Sequence, residues 1–234
     1  MKYAIITGGS QGIGKAIAEK FLSEGISVAV SARTKRDLDI VEKEWNEKYP
    51  TASVLTYPAD LGNQEEVKAF ATFVLSHFPQ VDILVNNAGA YLPGKIADEP
   101  DGQLEKLMTI NLYSAYHLTR AVLPGMKQKQ TGHIFNMCSV ASLKAYPGGG
   151  DYSITKYALL GFSDNLRLEL IPDNIRVTAI CPGAVYTRSW QASGLPEERF
   201  MKPEDVANIV WASHQMSAYT DVETIIVRPL KGDI

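Results

Sequence analysis

What most constrains the fold is an alternation. Short apolar runs trade places with segments of helical periodicity along the whole chain. "YAIIT" (3–7) predicts a buried strand, and residues 13–24 then place Ile13, Ile17, Ala18, Phe21 and Leu22 on one helical face. The same exchange recurs. "SVAVS" (27–31) precedes an amphipathic segment at 35–49, with Leu38, Val41 and Trp45 at helical spacing. "ASVLTYP" (52–58) precedes 64–78, whose first turn is acidic as the helix dipole favours. "VDILVNN" (81–87) precedes a long helical stretch at about 101–129, and "GHIFNMCS" (132–139) precedes 152–171. "IRVTAICP" (175–182) precedes 203–216, which opens on Pro203, and "VETIIVRP" (222–229) ends the series. Near-continuous apolar strands joined by helical crossovers require a parallel sheet covered on both faces. The expectation is an α/β, doubly wound, Rossmann-like sheet of about seven strands.

No linker, repeat or change of composition divides the 234 residues, so residues 1–234 read as a single domain. Hydrophobic residues make up 45% and charged residues 21%, which allows a sizeable core. A net charge of −3 offers no general attraction to nucleic acid or acidic membranes. No segment approaches the length of a membrane span, and the first residues read as a strand, not a signal peptide. Two cysteines, Cys138 and Cys181, make no disulfide framework and read as buried free thiols. The four histidines show no metal-ligand spacing, so no metal is expected. A cytoplasmic protein fits these features.

The first strand runs into "TGGSQGIG" (7–14), with Gly8, Gly9, Gly12 and Gly14. The spacing is G-x-x-x-G-x-G, not the common G-x-G-x-x-G fingerprint. A turn alone can use glycines, but four in seven residues exceed what a turn needs. The loop opens a helix where a doubly wound fold holds pyrophosphate, and it brings Ser10, Gln11 and Ile13 to the same place. At the end of the second strand an NAD enzyme wants a carboxylate for the ribose 2′-hydroxyl. The chain offers Ala32 and then Arg33, with Lys35 and Arg36 just beyond. A guanidinium there suits the 2′-phosphate of NADP, so NADP is expected rather than NAD. The alternative is an ordinary solvated helix start.

Residues 139–156 read "SVASLKAYPGGGDYSITK". Tyr152 and Lys156 are four apart and share a helix face. Ser139 ends a strand at the edge where such sheets place ligands. Alone, a Tyr–Lys pair is common surface decoration; its value lies in Ser139 and the glycine-rich loop between them. Reducing a ketone by hydride transfer requires a proton for the new alkoxide. A free tyrosine titrates at about 10. A nearby ammonium lowers that value, and a fall of about two to three pKa units corresponds to about 3–4 kcal/mol. Tyr152 is thus the expected general acid/base, with Ser139 holding the substrate oxygen and Lys156 beside them.

With these motifs in hand, the chain resembles the short-chain dehydrogenase/reductase family over nearly its whole length. The resemblance rests on "TGGSQGIG", "AD" with Asp60, "NNAG" (86–89), "IN" with Asn111, Ser139, "YSITK" (152–156) and "PGAVYT" (182–187). It implies a small-molecule carbonyl or alcohol substrate, and a homodimer or a tetramer built from it. It implies that Asp60 and Leu61 meet the adenine, and that Asn87, Ala88 and Gly89 line the adenosine ribose side and brace the sheet. Asn111 would kink its helix and anchor a water leading to Lys156. Lys156 would also reach the nicotinamide ribose, and Pro182, Gly183, Val185 and Thr187 would hold the carboxamide.

The chain departs from the family pattern in places. Only 14 residues, 188–201, separate Thr187 from the segment that opens the Pro203 helix, a short lid. The C-terminus lacks the glycine-rich end of the commonest tetramer. Gln130 and Asp173 stand where acyl-carrier reductases of the family place arginines, although Lys129 and Arg176 lie close by. The expected substrate wall is Tyr91, Leu92, Val140, Leu143, Tyr146, Trp190 and Phe200, which suits an apolar or aromatic carbonyl compound; Arg188 and Lys144 can pair with a carboxylate. Other readings stay open: a 3-oxoacyl thioester reductase, a dinucleotide sensor without catalysis, and an isomerase or dehydratase using the same fold.

Overall fold

The computed structural model describes residues 1–191 and 193–234. Seven strands form one parallel sheet in the order β3-β2-β1-β4-β5-β6-β7. They are β1 (Tyr3–Thr7), β2 (Ser27–Ala32), β3 (Val54–Pro58), β4 (Ile83–Asn86), β5 (Gly132–Met137), β6 (Ile175–Pro182) and β7 (Thr224–Val227). The helices are α1 (Gly12–Ser23), α2 (Lys35–Lys48), α3 (Gln64–His77), α4 (Gln103–Met108), α5 (Ser114–Lys129), α6 (Gly150–Leu170), α7 (Arg188–Gln191) and α8 (Pro203–His214). The doubly wound sheet expected from the alternation is therefore present.

The apolar strands are buried on both faces, and successive residues serve opposite cores. Ala4 and Ile6 of β1 pack with α1, α2 and α8 residues such as Phe21, Trp45 and Val210. Ile5, between them, packs with Phe70 of α3, Leu118 of α5 and Leu166 of α6. On α6, Leu159, Ser163, Leu166 and Leu170 form the buried stripe, at the spacing of a helix lying on a sheet.

Two departures from the expected elements shape the site. The helical stretch at 101–129 is interrupted by a wide turn, Thr109–Tyr113, in which the Ser114 amide bonds Thr109 O, five residues back. Strand β5 stops at Met137, two residues early. There the Ser139 hydroxyl accepts from the Ala141 amide at 3.1 Å and caps a short 3-10 turn, Val140–Ser142.

Candidate active site

Strands β1 and β4 are neighbours, and the sequence runs outward from them in both directions. That reversal opens a crevice at their carboxyl ends. Thr7, the last residue of β1, holds the crevice floor: its hydroxyl accepts from the Asn87 and Ala88 amides, each at 2.9 Å. The Asn87 side chain donates back to Thr7 O at 2.9 Å. Asn87 and Ala88 thus brace the sheet, as expected. Thr7 is a residue that motif reading passed over, because its role lies in bonds to residues 80 and 81 positions away.

The opening loop is shaped by close approach. At Gly14 a side-chain carbon would stand 2.3 Å from Gly8 O, and Gly12 has φ +55°, which favours glycine. Gln11, extended at the start of α1, makes no side-chain cap. Among the described residues no side chain caps the first amides of α1, as an anion site requires. Ile13 lines the cleft beside this turn, and Ser10 is half-buried in it. Gly8, Gly12 and Gly14 stand behind the surface they shape.

Arg33 follows β2 and is exposed. Lys35 is tied to Asp39 at 2.7 Å, whereas Arg33 and Arg36 make no ion pair among the described residues. Asp60, past β3, accepts from the Gly62 amide through one oxygen at 2.9 Å. Leu61 is buried in the core, so only its backbone can meet a ligand.

A cavity of about 570 Å³ runs from this turn to the ends of β5 and β6. Ser139, Tyr152 and Lys156 all line it, together with Ile13, Asn87 and Gly89. Pro182, Gly183, Val185 and Thr187 line it as well. The structure thus brings together the serine, tyrosine and lysine that the sequence separates by up to 17 positions. The Tyr152 ring meets Tyr91 edge-on, with centroids 4.9 Å apart at 83°.

The acidity of Tyr152 departs from expectation. Burial pushes its phenol up to about 12; the Ser139 hydroxyl favours the phenolate, while Tyr91 and Cys138 oppose it. Lys156 does not pull it down. Its ammonium donates to Met137 O at 2.8 Å and lies 5.8 Å from the centre of the Tyr152 ring. Burial also lowers the Lys156 pKa. Desolvation therefore outweighs the charge that helical spacing alone suggested.

Asn111 lies outside the cavity wall, 1% exposed, within the wide turn. Its side chain accepts from Ala90 N at 2.7 Å and donates to Ala90 O at 3.0 Å and Thr155 Oγ1 at 2.9 Å. It joins the loop after β4 to α6 between Tyr152 and Lys156. Thr155, whose hydroxyl also bonds Tyr152 O at 2.8 Å, completes this brace.

Of the expected wall, Tyr91, Val140, Tyr146 and Trp190 face the cavity, and so does Lys144. Leu92, Leu143, Phe200 and Arg188 do not. Leu143 packs beneath the floor. Phe200 is buried against Trp190 and Tyr186, at 5.3 and 5.6 Å, because the short lid folds onto its own aromatics. The C-terminal residues Arg228 and Asp233, which no motif marked, also line the cavity and pair with each other. Arg176, near the acyl-carrier positions, is taken up by the carbonyls of Ser213, His214 and Met216 at the end of α8. Asp173 pairs with Lys127 at 2.9 Å. No group of metal-binding side chains occurs among the described residues, and no helix there is long and apolar enough to cross a membrane.

Comparison with known proteins bears on this arrangement. The short chain dehydrogenase family model matches residues 2–198. A sepiapterin reductase of Chlorobaculum tepidum is 32% identical, over 98% of this chain and 97% of its own. Among solved structures, L-sorbose reductase from Gluconobacter frateurii, complexed with NADPH and L-sorbose, superposes with a TM-score of 0.90 at 32% identity, over 98% and 97% of the two chains. An alcohol dehydrogenase from the archaeon Thermococcus sibiricus, complexed with 5-hydroxy-NADP, superposes with a TM-score of 0.90 at 29% identity and the same coverage.

Proposed function

The chain belongs to the short-chain dehydrogenase family, and from that premise we propose that it is an NADP(H)-dependent oxidoreductase acting on a carbonyl or secondary alcohol of a small substrate. The observation that carries the reading is that Ser139, Tyr152 and Lys156 face one cavity beside the uncapped start of α1. When bound, the nicotinamide cofactor supplies or accepts the hydride. The residues present fit it. The free amides of α1 would hold the pyrophosphate, Arg33 the 2′-phosphate, and Asp60 the adenine. Lys156 would reach the nicotinamide ribose, and Pro182, Gly183, Val185 and Thr187 would hold the carboxamide. NADP complexes among the structural neighbours support the choice of nucleotide.

In reduction, the Ser139 hydroxyl orients the substrate oxygen and Tyr152 donates a proton to it. A phenol pushed up to about 12 is fully protonated at neutral pH, the form a donor needs. Asn111 acts as a positioning residue, keeping α6 against the loop after β4. Tyr91, Tyr146 and Trp190 make a wall better suited to a flat aromatic carbonyl compound than to a polyhydroxylated ketose such as the L-sorbose of the Gluconobacter complex.

The pH dependence tests the proton role. Reduction needs the phenol and oxidation needs the phenolate. Reduction should therefore hold steady from neutral to mildly alkaline pH and fall only as the pH nears about 12, while oxidation should rise over the same range. Steady-state rates in both directions, at saturating cofactor, check this. A reduction rate that already declines as the pH rises through ~8 would assign the proton to another group.

The reading extends to a homodimer, or a tetramer built from it. While one stripe of α6 covers the sheet, Ile154, Tyr157 and Leu168 on the other side are 39%, 44% and 60% exposed. Tyr113 and Tyr116 beside α5 are exposed as well. Two neighbouring helices presenting such residues suit a second copy. Light scattering at micromolar concentration should find at least two chains per particle; a single-chain species alone would refute the assembly.

A further inference from the structure

The chain has two cysteines, and the proton chemistry uses neither. Strands β5 and β6 run in register with Met137 opposite Ile180. The next residues, Cys138 and Cys181, are therefore neighbours, and they pack in one small cluster with Ala115, Leu159 and Ala179. Their surroundings differ. Cys138 lines the cavity between Met137 and Ser139 and is 2% exposed; Cys181 lies behind it at 0%. A small reagent in the cleft thus meets Cys138 first and reaches Cys181 only through it.

We propose that Cys138 and Cys181 are a redox-responsive dithiol, in which a small peroxide entering the cleft oxidises Cys138 and Cys181 then closes an intrachain disulfide. In the first step the Cys138 thiolate attacks one peroxide oxygen. The O–O bond breaks, a sulfenic acid forms, and the other oxygen leaves as hydroxide and takes up a proton as water. In the second step the Cys181 sulfur attacks the sulfenic sulfur. The S–O bond breaks and a second water leaves with the Cys181 proton. Overall two thiols lose two hydrogens and one peroxide is reduced to two waters.

The surroundings assign the roles. The neighbouring Cys181, the Lys156 ammonium and the Ser163 and Ser142 hydroxyls hold the Cys138 thiol below its usual range, against burial. The neighbouring Cys138 and burial hold the Cys181 thiol above its usual range. Cys138, which lines the cleft, is thus the nucleophile, and the fully buried Cys181 the resolving thiol. Closing the bond would pull on Ser139 and Pro182, the chain neighbours of the two cysteines at the cleft edge.

The test is intact mass under non-reducing conditions after hydrogen peroxide is added to the full chain. The proposal expects a single-chain species lighter by about 2 Da, with both thiols lost to alkylation and restored by dithiothreitol. Because the chain has no other cysteine, that mass identifies the bond. In Cys181→Ser, peroxide should instead leave a sulfenic acid at Cys138 that dimedone traps. An unchanged wild-type mass, overoxidation of Cys138 without a disulfide, or a bond between two chains would overturn the proposal.

Discussion

Replacing Tyr152 with phenylalanine should lower turnover by about 10²–10⁴ while leaving NADPH affinity nearly unchanged. The substitution removes one hydroxyl and keeps the ring. The edge-on contact with Tyr91 survives, and the Ser139 hydroxyl keeps its bond from Ala141 N. What is lost is the proton that burial holds on the phenol up to about 12. Lys156→Ala behaves differently. It removes the donor to Met137 O and the group that would meet the cofactor ribose, so it should damage both turnover and affinity. Turnover numbers and NADPH dissociation constants for both variants separate the two roles. A Tyr152→Phe protein with near-native turnover would remove the tyrosine from the chemistry.

Replacing Arg33 with alanine should weaken NADPH binding by about 10- to 150-fold and leave NADH binding nearly unchanged. The range is what one charge-assisted hydrogen-bonding pair is worth, and the exposed position favours its lower end. The cluster read as three cations in sequence is divided in the fold. Lys35 is held by Asp39, which leaves Arg33 and Arg36 to meet a phosphate. Ala32 offers no carboxylate to compete for the ribose. The native preference for NADPH over NADH should also shrink as salt rises. Equal native affinities, or a variant that loses both cofactors alike, would make Arg33 a solvated helix-start charge.

Much of this was legible because it depends on local spacing. The alternation of apolar runs and amphipathic segments carried the sheet. The four-residue step carried Tyr152 and Lys156 onto one helix face, and the run of glycines marked the loop before α1. What was not legible depends on distances between remote segments. Helical spacing does not say that Lys156 turns to Met137 O, or that burial governs the Tyr152 phenol. Apolar runs do not reveal that β5 stops at Met137 for the Ser139 cap. An aromatic lid residue reads the same whether it faces a substrate or, like Phe200, packs on Trp190. Arg228 and Asp233 reach the cavity through the turn after β7, which carries no motif.

The most direct measurement is the loss of NADPH absorbance by the wild-type chain against a broad panel of carbonyl compounds, with the alcohol product quantified alongside. Substrate-dependent loss of NADPH should be matched mole for mole by alcohol and be fastest with aromatic carbonyl compounds. Tight NADPH binding with no turnover of any carbonyl compound would contradict it, and would make the protein a dinucleotide sensor built on the same fold.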